Sequence, residues 1–381
     1  MQLHTLPVDN TESPYRELYR TAKDCLSYVE GSNIFSIRLL QAALLIALYE
    51  VSNAMYPAAY LSVGHCARLG HAMGIHDRRR APQMLSSPSK FSPAGEAIGL
   101  GPDQDSETAT ELEERRRVWW AVIILDRYVN LGSKNRPFAC EDARPDEYLP
   151  ADDKHWDQGV SFSARALSRK NAHLEAPPFA RTCQAAHLLS RVLRNLNDSD
   201  TDAEFRFQEA IQLHRTTQAL YSTALHESEE LVERMSDLTA HLPFSAAMGL
   251  CLSALLTLYD KYSCTENSEV DQMGSPNLLE MQKIAISGLK ELSSAVFQLS
   301  RRIRAAAELG GMLKTSPLIC DCLYQAAANY LWYILETGNE ECRSMVVGIK
   351  DVLQMLGTRW KSPIEYIRIL DSYEMSQGLA M

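Results

Sequence analysis

The 381 residues contain none of the common catalytic signatures. There is no phosphate-binding loop, no dinucleotide-binding glycine pattern, no H-E-x-x-H and no G-x-S-x-G. His226-Glu227 has no second His four residues after His226. No Cys-x2-Cys occurs anywhere, although the chain holds 9 Cys. Their odd number and scattered spacing read as reduced thiols rather than a disulfide framework. Met1 to Asn10 lacks the basic start and apolar run of a secretory leader, so an intracellular protein is expected. Positive charge is also short. Lys and Arg total 38 against 48 Asp and Glu, a balance of −10. A nucleic-acid binder must neutralise phosphates and shows a basic face; none is evident here.

What is present is helical periodicity. Ser13-Pro14 reads as a cap and first-turn proline, and Tyr15, Leu18, Tyr19, Ala22, Leu26 and Val29 then recur on one face up to Gly31. Further helices are expected over about 33–53, from Pro57 to near Gly74, and over 111–131, 204–232, 244–262, 277–309, 317–336, 340–356 and 363–374. No segment reads as a strand, so the fold class is all-α. The longest uncharged run, Leu242 to Tyr259, approaches a membrane span in length. Pro243, Ser245, Ser253 and Thr257 interrupt it, and the expected outcome is a buried core helix with no membrane partner.

Composition divides the chain into three. Residues 1–78 form a first helical part. Residues 79–110 are rich in Ser, Pro and Gly and are expected to be a mobile loop. Residues 111–381 continue the same helical domain, with an irregular stretch over 132–180 marked by Pro137, Pro145, Pro150, Pro177 and Pro178.

Two segments carry specific patterns. The first runs from Tyr60 through Gly70 to Ala72-Met73-Gly74-Ile75-His76. The second opens with Glu113-Glu114-Arg115-Arg116-Arg117-Val118-Trp119-Trp120, passes through Leu125-Asp126-Arg127 and Arg136-Pro137, and closes at Leu149-Pro150. In order and separation they resemble the middle-homology regulatory region of fungal zinc-cluster transcription factors, with Asn135 where that family often has Gly. The resemblance covers roughly residues 15–155. It marks Gly70, His76, Arg116, Arg117, Trp120, Asp126, Arg127, Arg136, Pro137 and Pro150 as family-motif positions, expected to be structural. It implies a nuclear role in controlling metabolic or secondary-metabolite genes, with other transcription proteins or a small-molecule effector as partners and a homodimer as one possible assembly. The family's zinc cluster needs six Cys in a short N-terminal segment. Only Cys25 precedes the first matching helix, so zinc and direct DNA contact are not carried over to this chain, and no cofactor is expected.

Each constellation has a plain reading. Arg115, Arg116 and Arg117 fan around a helix at about 100° per residue, so they do not form one patch. Glu111, Glu113 and Glu114 lie within pairing distance. Asp126 is expected to receive an arginine and to hold the loop that bears Arg136-Pro137. His65, Cys66, His71 and His76 have metal-ligand chemistry, but His71 and His76 lie about 140° apart on a continuous helix. No catalytic or metal residue is therefore assigned. The competing hypothesis is an enzyme or binder repurposed from this fold, drawing on Asp126, Arg127, Arg136, His65 and His76.

Overall fold

A computed structural model describes residues 13–76, 109–132, 136–158, 165–167, 176–198, 200–263 and 275–378. Its architecture is all-α. The expected loop at 79–110 falls almost entirely outside the described residues; its last two residues already belong to a helix.

The N-terminal part has three helices: α1 (Ser13–Gly31), α2 (Ile37–Ser52) and α3 (Ala58–Ala72). α2 starts later than its apolar pattern does, because the Ser36 hydroxyl caps the Leu39 amide. α3 stops at Ala72, and Gly74 reverses the chain at φ +67°, a conformation glycine adopts without steric cost. α4 (Ala109–Tyr128) packs against α2 and α3. Gly70 permits this approach. A Cβ there would lie 2.7 Å from Cζ3 of the buried Trp119.

The stretch after α4 is not wholly irregular. It contains a short helix, α5 (Asp153–Asp157), and two strands of two residues each, β1 (Tyr148–Leu149) and β2 (Arg165–Ala166). They pair antiparallel, Tyr148 opposite Ala166. A pair this short leaves no alternation in the sequence.

The second half comprises α6 (Pro178–Asn197), α7 (Ala203–Met235), α8 (Leu242–Ser263), α9 (Pro276–Glu308), α10 (Cys320–Thr337), α11 (Glu341–Leu356) and α12 (Ser362–Ser376). α6 was not expected. The Pro177-Pro178 pair that looked like a break is its start, with Pro178 in the first turn. α8 is the hub and packs on α6, α7, α9 and α10. Together with the 3-10 turn that precedes it, Leu238–Ser263 is long and apolar enough to cross a membrane, but 83% of its apolar window is buried inside the fold. Non-polar surface this well covered by protein is core. One apolar cluster runs from Leu39 to Leu370 and joins both halves.

Candidate functional site

The motif residues converge on α4, whose polar side organises the segment that follows it. Glu113 is fully buried. It pairs with Arg116 and, at 3.0 Å, with Arg117, and its Oε1 accepts the Ala151 amide at 2.7 Å. Arg117 reaches on to the Asp153 carboxylate at 2.7 Å and the Ala151 carbonyl at 2.9 Å. Its guanidinium lies 5.1 Å from the Trp156 ring centre. Arg116 stands over Tyr148. The Trp120 indole donates to the Tyr148 carbonyl at 2.9 Å. Pro150 is buried among these contacts.

Further along α4, Asp126 and Arg127 form a second node. Both are at most 1% exposed. Asp126 pairs with Arg127 and accepts the amides of Ala139 at 3.1 Å and Cys140 at 3.0 Å. Arg127 uses the rest of its fork on Ser190 Oγ (2.7 Å), the carbonyls of Cys140 (3.1 Å) and Glu141 (3.0 Å), and Asp142 Oδ1 (3.1 Å). Asp142 also binds Ser190 and Arg194. Burial pushes the Asp126 carboxyl up, and Arg127 with the two amides offsets part of that. Burial acts on Asp142 as well, but Ser190, Arg127 and Arg194 together hold it below the usual carboxylate range. A buried arginine with this many acceptors fixes geometry more than it adds stability.

The remaining motif positions lie around these nodes. Arg136 is exposed and sits 5.2 Å from the Tyr60 ring centre, and the Pro137 carbonyl accepts the Tyr60 hydroxyl at 3.3 Å. Asn135 lies outside the described residues. His65 pairs with Glu30 at 2.7 Å. His71 and His76 do meet, contrary to helical spacing, with ring centres 4.3 Å apart. The helix has ended between them, and the turn at Gly74 folds His76 back. His71 also contacts Trp119 edge-on at 5.1 Å. Burial, then the neighbouring His76, lowers the His71 pKa. Among the described residues, no three His, Cys, Asp or Glu side chains gather to hold a metal. The eight described cysteines are unpaired.

Four participants had not been singled out: Phe138, Asp142, Ser190 and Arg194. Ser190 and Arg194 are four apart on α6 and share a face, which was a usable signal once that helix was recognised. A buried pair between Arg181 and Glu227 ties α6 to α7 in the same way. Of the groups the enzymatic alternative would need, Asp126 and Arg127 are spent on the loop backbone, while His65 and Arg136 hold separate surface partners.

The family description "fungal specific transcription factor domain" matches residues 9–267, well over half of the chain. The chain belongs to that family. Relatives in this family are transcription factors. A transcription factor of Botryotinia fuckeliana is 46% identical over 77 residues, 20% of this chain and 42% of its own length. The azaphilone cluster-specific transcription factor of Aspergillus niger is 26% identical over 251 residues, 64% of this chain and 51% of its own. The citrinin biosynthesis transcriptional activator of Monascus ruber is 29% identical over 159 residues, 41% of this chain and 27% of its own. The chain thus spans about half the length, or less, of these curated relatives. No solved structure matches it.

Proposed function

We propose that this fungal-specific transcription factor domain acts in the nucleus as the regulatory region of a transcription regulator for metabolic or secondary-metabolite genes. Family membership carries the reading, and the relatives named for azaphilone and citrinin production supply the gene class. The site adds a physical reason. The charged motif residues neutralise one another and fasten backbone, which builds a scaffold rather than a reaction centre. Such a scaffold regulates by presenting a surface to other transcription proteins or by being biased between packings by a bound small molecule. DNA contact is assigned to another module or partner, since no zinc-cluster cysteines are present in this chain and its charge is −10.

A tagged copy tested for chromatin occupancy, alongside transcript levels in a deletion strain, decides the matter. Promoter signal with a changed set of biosynthetic transcripts is the expected result. No promoter signal and an unchanged transcriptome, together with a missing metabolite, would overturn the proposal in favour of an enzyme.

A further inference from the structure

Arg215 meets Glu280 at 3.3 Å and Arg302 meets Glu229 at 2.6 Å, so α7 and α9 run parallel and finish at the same end of the bundle. Met235 is the last residue of α7, and Leu309 follows the last residue of α9. A 3-10 turn comes after each helix, Leu238–His241 after α7 and Gly311–Lys314 after α9. Gly310 turns the chain at φ +86°. A Cβ on Gly311 would lie 2.6 Å from Leu242 Cδ1 and 2.7 Å from the Ala306 carbonyl oxygen, so the second turn is held close against the end of α9. Lys314 Nζ donates to Thr239 Oγ1 at 3.2 Å and ties the two turns together.

Four large apolar side chains stay in solvent at this end: Met235 (55% exposed), Leu238 (50%), Leu309 (62%) and Leu313 (71%). Together they expose roughly 400 Å², the size at which a surface patch usually has a use, and about half of what each partner of a stable dimer buries. The charge around them cancels. Arg234, Arg304, Lys314 and Arg359 stand against Glu233, Asp237, Glu308 and Asp351. Arg304 is shared between Glu308 at 3.1 Å and Asp351 at 3.6 Å, and Arg359 is placed here by the Met312 carbonyl at 2.7 Å. α7 and α9 also present their carbonyl ends, a partial negative charge that Arg234 and Lys314 offset.

We propose that this end is where two copies of the chain meet about a two-fold axis. Such a contact sets one patch against itself, so the patch must tolerate its own charge. The chain as a whole carries −10, and two copies repel over most of their surfaces. Here an apolar centre lies inside a balanced rim, and the repulsion is absent. A nucleic acid or an anionic lipid surface would need surplus cations, which this rim does not offer. Leu309 and Leu313, the most exposed of the four, form the centre of the contact. The inference stands independently of the transcriptional reading.

The test is sedimentation equilibrium of the full chain from about 1 μM to about 300 μM, a range that brackets a dissociation constant on the order of 10 μM for a small interface. The mass should rise from that of one chain toward that of two. Hydrogen exchange at Leu238, Thr239 and 310–314 should slow over the same range. Leu309→Glu with Leu313→Glu should weaken association at least ~30-fold, because four carboxylates would then face one another. Both side chains are exposed, so the melting curve should not move; Met235→Glu alone is the second variant should that pair disturb folding. Val347→Glu, on the exposed side of α11, should leave association as it was. Salt between about 50 mM and about 500 mM should change the constant less than ~3-fold, since no net charge drives the contact. A single-chain mass throughout, a dimer that survives both Glu variants, or a dimer dispersed by salt would each overturn the proposal. So would slowed exchange at these turns only when a different protein is added.

Discussion

The guanidinium carbon of Arg127 stands 4.2 Å above the ring centre of Phe138. Arg194, from α6, approaches the same ring at 5.1 Å. One aromatic side chain in a loop therefore takes two cations, and both cations also bind Asp142. This is how α4, α6 and the loop after α4 are locked into one unit.

Replacing Arg127 by Met should remove this lock. Asp126 would remain buried without its counter-charge, and the carbonyls of Cys140 and Glu141 would lose a donor. The expected loss is about 3–5 kcal/mol, read from the midpoint of urea denaturation. Arg127→Lys should recover little of it, because an ammonium cannot span acceptors set out for a planar fork.

Glu113→Gln should act more locally. It weakens the pairs to Arg116 and Arg117 and the acceptor of the Ala151 amide. Hydrogen exchange at Ala151 should accelerate, while stability falls by about 1–3 kcal/mol. Unchanged exchange at Ala151 would mean that Glu113 does not hold this segment.

Gly70→Val should destabilise by about 1–3 kcal/mol, since its side chain would press on the Trp119 ring. Trimming that ring with Trp119→Leu in the same chain should recover part of the loss. Thermal melts of the two single variants and the double variant measure the coupling. Strict additivity would rule out the contact as the cause.

Acid should weaken the fold early. Burial holds the imidazoles of His71, His187, His214 and His241 below their ordinary value. Unfolded, each takes its proton near pH ~6.5. The native state therefore binds fewer protons just below that value, so stability is intact above it and falls as pH drops through it. For His187, Asp142 opposes the burial effect while Arg191 and Arg127 reinforce it. His187→Gln should flatten part of the fall in melting temperature between about pH 7 and about pH 5. An equal slope in both proteins would exclude His187 as a contributor.

Much of this architecture could be read from the chain. Caps and prolines at Ser13, Ser316 and Ser362 marked starts near those observed, and Glu113 with Arg116 and Arg117 was visible because helical pairs sit three and four apart. Asp126 holding the loop after α4 followed from a charged pair inside an apolar helix. The partners of Arg127 were not legible. Asp142 and Ser190 lie 15 and 63 residues away, and only tertiary packing brings them together. α6 escaped because two successive prolines read as a break, whereas here they open a helix. The His71–His76 contact escaped because spacing arguments assume a helix that here has already ended.

The family match stops at residue 267, four residues past the end of α8. The helices that close over α8 from the other side, α9 and α10, begin only at Pro276 and Cys320. A fragment excised at the match boundary would therefore keep α6 and α7 on one side of α8 but leave its other side, a greasy strip ~30 Å long, open to clumping or chaperone capture. The stretch that the family description matches is smaller than the unit that buries its own apolar surface.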